Sequence, residues 1–128
     1  MKKPRSKSYV INLKPVAWQL PKSRNNKFFD GQTKDKQLFA MHMSNQHGTD
    51  PLFSTPIVLE ITFYFHRTAT INQHDIYCDR GPYIGSFEDW LIDVMKDTVL
   101  TDPKMIVSRA ARKVWAPQPR IEFTITEV

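Results

Sequence analysis

Cysteine occurs once in the 128 residues, no long apolar run is present, and acidic residues are outnumbered by basic ones, 13 to 18. Each shortage removes a class of protein. A lone Cys78 cannot form an internal disulfide, so the chain is not a disulfide-stapled secreted scaffold, and a reducing, cytoplasmic setting is the expectation. As a nucleophile Cys78 would need a paired base. His74 is near in sequence, but nothing around it suggests an oxyanion site, and Cys78 reads as an inert loop residue. No segment approaches the roughly 20 apolar residues that span a bilayer. The charged N-terminal residues are followed by no apolar stretch, so no secretory signal is expected. Internal repeats and low-complexity tracts are absent as well.

What is present is a chain of ordinary globular composition, 41% hydrophobic and 24% charged, of a length that suits one domain. It is long enough to bury a core and short enough to gain from pairing with a second copy. A formal charge of +5 and an isoelectric point near 9.4 favour a polyanionic partner. Lys2, Lys3, Arg5 and Lys7 crowd residues 1–7, where only Met1 could join a core. This predicts a basic, mobile arm ahead of a single domain over residues 8–128.

The alternation of Tyr9, Ile11 and Leu13 predicts a strand over residues 8–13, ended by Pro15. Residues 16–21 are expected to be extended, because residues before proline avoid helix. A basic, Asn-rich turn and a short strand at Phe28-Phe29 follow. Residues 33–46 form a helix candidate closed by Gly48-Thr49-Asp50-Pro51. His42 and His47 near its end lack the further ligands a metal site needs. Residues 56–66 are the clearest strand, with Ile57, Leu59, Ile61, Phe63 and Phe65 on one side. Residues 68–79 are polar and irregular. Ser86 then stands as a helix N-cap, with Asp89 three residues on giving an approximate capping box. Phe87, Trp90, Leu91 and Val94 make one apolar face of that helix, which runs to Lys96. Residues 105–115 and 120–128 close the chain as strands about a turn at Ala116-Pro117-Gln118-Pro119. Strands and helices out of strict alternation argue an α+β fold, a mixed β-sheet with about two helices packed on it.

The stretch from Pro82 to Asp102 resembles the RusA family of Holliday-junction resolvases. In that family a Pro-Asp-x-Asp-Asn loop enters a helix carrying a Lys and a later Asp, and a pair of Asp residues follows. Pro82, Ile84, Phe87, Leu91 and Asp93-Val94 fall at the family's spacing without a gap. The same register puts Tyr83 and Gly85 at the two metal-binding Asp positions, Ser86 at the Asn and Asp89 at the Lys. Asp102 matches the first Asp of the later pair and Pro103 replaces the second. The closing segment, from Ala111 through Ile125, is also similar to how such chains finish. The resemblance spans residues 9–128 and implies a homodimer acting on a four-way DNA junction with Mg²⁺.

Cleaving DNA at neutral pH needs an activated water and stabilisation of charge at phosphorus, which magnesium supplies when held by hard oxygen ligands. The carboxylates available for that work are Asp102, Asp75 and Asp79, with Glu88 and Asp89 as substitutes and Asp93 in a positioning role. Asp75-Ile76-Tyr77 echoes the family's Asp-x-Asp pair only through a gap, and that match gains one Asp. Lys14, Lys22, Arg24, Lys27, Arg80, Arg109, Arg112 and Lys113 are the candidates for DNA phosphates. Arg109 and Lys113 share one strand face by period two, and Arg112 faces away from them. Trp18, Phe28 or Tyr83 could wedge into a junction centre. Three readings follow: a junction-binding protein of recombination or repair with a degenerate nuclease centre, an active Mg²⁺-dependent junction endonuclease using rearranged carboxylates, or a protein-binding adaptor or inhibitor on the same scaffold.

Overall fold

The computed structural model describes residues 3–19, 22–24, 27–29 and 31–128, the second and third of these stretches by backbone alone. Its elements in chain order are β1 (Ser6–Ile11), β2 (Lys22–Arg24), β3 (Lys27–Phe29), α1 (Thr33–His47), β4 (Ile57–His66), α2 (Ile84–Met95), β5 (Ile106–Ala116) and β6 (Arg120–Glu127). Four strands form one sheet in the order β1-β6-β4-β5, and β2 pairs with β3 separately. The β1–β6 and β6–β4 pairs are antiparallel, whereas β4–β5 is parallel. A parallel neighbour demands a crossover, and α2 supplies it between β4 and β5. The fold is therefore α+β, a mixed sheet with two helices, as the element order predicts.

Period-two patterning decides which face is buried. Ile57, Leu59, Ile61 and Phe63 of β4, Tyr9 and Ile11 of β1, and Ile121, Phe123 and Ile125 of β6 point to one side and are at most 3% exposed. Both helices contribute to that side. Trp90 of α2 meets Phe39 of α1 edge to face with ring centres 4.9 Å apart, and Phe87 packs on Phe63 and Phe65. Each such side chain, fully buried, contributes about 1.5–3 kcal/mol. Trp90 Nε1 is the one buried side-chain nitrogen or oxygen without a partner among the described residues, a cost of about 1–3 kcal/mol that this packing offsets. The other sheet face is open and polar, with Val10, Glu122, Thr62 and Arg112 in one cross-strand row. One covered and one wet face is what alternating strands produce.

Two boundaries differ from the sequence expectation. Strand β1 begins at Ser6, so residues 5–7 belong to the fold and not to a mobile arm. Ser6 and Lys7 pair with Thr126 and Ile125. Lys7 Nζ donates to Asp50 at 2.5 Å and to the His47 carbonyl, and Arg5 donates to the Pro51 carbonyl and lies 3.9 Å above the Phe53 ring. Basic charge there serves the C-terminal end of α1, where cations and donors are favoured. Helix α2 starts at Ile84, with Tyr83 as its N-cap residue and no side-chain cap. Ser86 does not cap. Its Oγ accepts the Trp18 backbone N–H at 3.1 Å, a partner 68 residues away.

Candidate functional site

Of the residues singled out by sequence, Asp75, Asp79, Arg80, Tyr83, Glu88, Asp89, Arg109, Arg112 and Lys113 lie on the loop of residues 67–83, the first turns of α2, and β5. Two cations shape the loop. Arg67 donates to the carbonyls of Asn72 and Asp75, and Lys113 Nζ donates to those of Arg80 and Pro82 at 2.6 and 2.9 Å. Lys113 also lies over the Phe65 and Phe87 rings, 5.5 and 5.6 Å from their centres. Its charge is thus engaged in positioning the approach to α2. A backbone bridge from Tyr77 to Val114 fastens the loop's far end to the outer edge of β5, through Cys78 N–H to Lys113 O and Trp115 N–H to Ile76 O.

At the entry to α2 the Tyr83 ring covers Gly85. A Cβ built on Gly85 would stand 2.6 Å from Tyr83 Cε2, closer than side chains tolerate. A side chain at position 85 would require the Tyr83 ring to move aside. Tyr83 itself is 73% exposed, so its ring is available at the surface.

The acids of α2 are already engaged. Arg109 Nε sits 3.0 Å from Glu88 and its Nη1 3.2 Å from Asp89. Glu88 is only 7% exposed. Burial pushes its carboxyl above the ordinary range, the Arg109 guanidinium opposes that, and the neighbouring Asp89 charge adds to it. Asp93 pairs with Lys36 of α1 at 3.3 Å, so it positions one helix against the other. The same Lys36 ammonium lies 4.3 Å above the Trp18 ring.

The three carboxylates proposed as ligands are not brought together in one chain. Asp75 and Asp79 line an open hollow with His74, Ile76 and Tyr77. Asp102 precedes the short 3-10 turn Pro103–Met105 and its side chain accepts the Lys104 N–H at 2.9 Å. Cys78, next to Asp79, is bonded to Lys113; Lys113 is seven residues beyond Ile106, roughly 23 Å along β5 at about 3.3 Å per residue. The loop aspartates and Asp102 stand at opposite ends of that strand. Magnesium needs oxygen ligands at about 2.1 Å on a common centre, and among the described residues no three His, Cys, Asp or Glu side chains are grouped to hold a metal. Among the described residues of one chain, Asp75, Asp79 and Asp102 do not share a centre that would fit the ion.

Of the proposed phosphate contacts, Lys14 and Arg80 are exposed. Arg112 lies on the open sheet face, where its Nε donates to Thr62. Arg109 and Lys113 point to the helix side, as their spacing predicts, and both are occupied by the contacts above. Lys22 and Arg24 lie on β2 and Lys27 on β3; their side chains are outside the described residues, as is that of Phe28. Sequence reasoning did not single out Arg67 or the Glu88–Arg109 pair. Arg67 follows β4 directly with no local signal, whereas the period-two facing of Arg109 and Lys113 could have prompted a search for α2 acids beneath them.

A mixed sheet covered on one face by two helices, with a basic surface and a carboxylate-bearing crossover, defines a two-layer α+β scaffold. Residues 12–126 match the family model described as endodeoxyribonuclease RusA. The match covers nearly the whole chain, and the chain belongs to that family. Membership supports a function of the Holliday-junction resolvase kind. No curated protein matches the chain. Among the described residues no helix is long and apolar enough to cross a membrane.

Proposed function

We propose that the protein is a cytoplasmic, homodimeric DNA-junction-binding protein of recombination or repair whose nuclease centre is degenerate. The observation that carries this reading is the Tyr83 ring lying over Gly85, at the two positions where the resemblance puts metal-binding aspartates. The Arg109 pairing of Glu88 and Asp89 supports it, because those carboxylates are then spent within the chain. Neither a phenol nor a bare backbone replaces a carboxylate as a magnesium ligand. An Asp at position 89, where the family has a Lys, repels phosphate. Lys14 and Arg80 are exposed among the described residues and remain for phosphate contact; Lys22, Arg24 and Lys27 are the further contacts this reading assigns. Arg112 serves a different side of the sheet.

Binding through phosphates makes affinity fall with salt, with log K declining by about 0.9Z per unit of log salt for Z neutralised phosphates. The test is competition of a four-way junction against linear duplex of the same sequence across a salt series. A steep slope with preference for the junction supports the reading. A flat salt response, or equal binding of both DNAs, removes DNA-junction binding and leaves the protein-binding adaptor.

A further inference from the structure

Among the described residues, the outer edge of β5 carries unpaired backbone groups. Lys113 O and Trp115 N–H point away from β4, toward the loop strand at Ile76–Cys78. Residues alternate along a strand, so the N–H and C=O groups of Arg109 and Ala111 point outward as well. They have no backbone or side-chain partner among the described residues. Cys78 closes the window at Lys113, and the register shift between the Ile57 and Val58 pairings, which takes β5 from Ile106 to Ser108, closes it at Val107. The free stretch is therefore residues 108–112, with Ala110 at its centre. The other outer strand is treated differently. The Gln46 side chain donates to Val10 O and accepts from Val10 N–H, clasping the β1 edge.

We infer that this window is the docking surface for a second copy of the chain, paired antiparallel about a two-fold axis at Ala110. This rests on the homodimer reading above and locates its interface. In that register Arg109 of each copy exchanges two hydrogen bonds with the partner's Ala111, four in all, and these use the groups left free. Centring the axis on Arg109 would draw on Val107, inside the bulge, and centring it on Ala111 would draw on Lys113 O, already bonded to Cys78. The side chains agree. Arg109 faces Ala111, Arg112 faces Ser108, and Ala110 faces its own copy, so no like charges stand directly opposite, an arrangement that would be destabilising. The same exercise on the free part of β1 would set Lys7 against Lys7. Arg109 also brings its two α2 carboxylates to the seam, and Asp89, whose side chain is 54% exposed, is placed to meet charge from the partner. Val107, 59% exposed on the adjoining hollow lined by Ile92 and Ile106, gains cover.

The test uses the full chain with Cys78→Ser as background. Across a pair without mutual hydrogen bonds, Cα atoms lie about 4.5 Å apart, within the roughly 4.4–6.8 Å that a disulfide accepts. Ala110→Cys should then oxidise to a covalent dimer. Ser108→Cys should not crosslink alone and should do so when mixed with an Arg112→Cys chain. Ala111→Pro removes an outward N–H while sparing the ladder to β4, so circular dichroism stays unchanged while the dimer Kd rises about 30-fold, the loss expected for two hydrogen bonds. If light scattering finds a dimer that Ala111→Pro leaves intact and Ala110→Cys does not crosslink, the homodimer stands and this surface is wrong. A wild-type chain that is monomeric at micromolar concentration overturns both, leaves the edge to a strand from another protein, and leaves junction binding to its own assay.

Discussion

Removing the Arg109 side chain strands a buried carboxylate, and the consequence can be worked through. Glu88 is 7% exposed and Arg109 is its ion-pair partner at 3.0 Å. Breaking a fully buried pair by deleting one partner costs about 3–5 kcal/mol. The Arg109 side chain is 43% exposed, so solvent screens part of the interaction and the expected loss for Arg109→Ala is about 2 kcal/mol at pH 7. For a domain of this size that lowers Tm by roughly 5–10 °C. The pH dependence follows from the direction of the shift. Burial holds the folded-state carboxyl above its unfolded value, so the folded state binds the proton more readily in the window between the two. Stability is then fully present below the unfolded pKa and lost as pH rises through the folded one. Without Arg109 the folded pKa moves further up and the window widens. The variant's deficit should be largest near pH 7 and shrink toward pH 4, and Glu88→Gln in the variant should restore most of it. Thermal unfolding followed by circular dichroism across pH is the assay. An equal deficit at pH 4 and pH 7, or no recovery with Glu88→Gln, would show that the guanidinium contributes by packing rather than by pairing with a buried charge.

Gly85→Asp alone should cost about 0.5–1.5 kcal/mol, because the Tyr83 ring must leave its rotamer, whereas Gly85→Asp with Tyr83→Asp should not; urea unfolding of the two variants checks this. Tyr9→Phe removes the 2.6 Å hydrogen bond from the buried phenol to His47 Nδ1 and should cost about 1–2 kcal/mol in the same assay. Burial raises the Tyr9 phenol to about 12, so ultraviolet titration should show a tyrosine ionising near that pH that is lost in Tyr9→Phe. Wild-type stability should fall between pH 10 and 12, since only the unfolded state deprotonates there. Lys113→Met should free the carbonyls of Arg80 and Pro82 and speed proteolytic nicking within residues 67–83 without lowering Tm by more than a few degrees.

The parts of this molecule legible in the sequence are those set by local periodicity. Alternation at 57–65 and 121–125 reported which sheet face is buried, and the Phe87, Trp90, Leu91 and Val94 stripe reported the buried face of α2. The misplaced boundaries lie where a distant partner decides. Ser86 has the composition of a cap, but its hydroxyl is taken by the Trp18 N–H, and the helix begins two residues earlier. Lys7 has the composition of a solvated arm, but the C-terminal end of α1 and Asp50 capture it. The candidate site was legible as a list of residues and not as an arrangement. Whether Asp75, Asp79 and Asp102 converge depends on the length of β5, which separates them, and Glu88 meets Arg109 only because the crossover folds α2 back onto that strand.

The degenerate-centre reading is tested most directly by incubating the purified chain with a labelled four-way junction, with and without Mg²⁺ or Mn²⁺, and resolving the strands on a denaturing gel. Each absent charge-stabilising group lowers the rate by about 10²–10³, by analogy with loss of one oxyanion donor, so several absences together bring cleavage near background. The account predicts a retained, salt-sensitive junction complex with intact strands under either metal. Robust symmetric nicks that require the metal and vanish in Asp102→Asn and Asp75→Asn would contradict it and establish an active endonuclease.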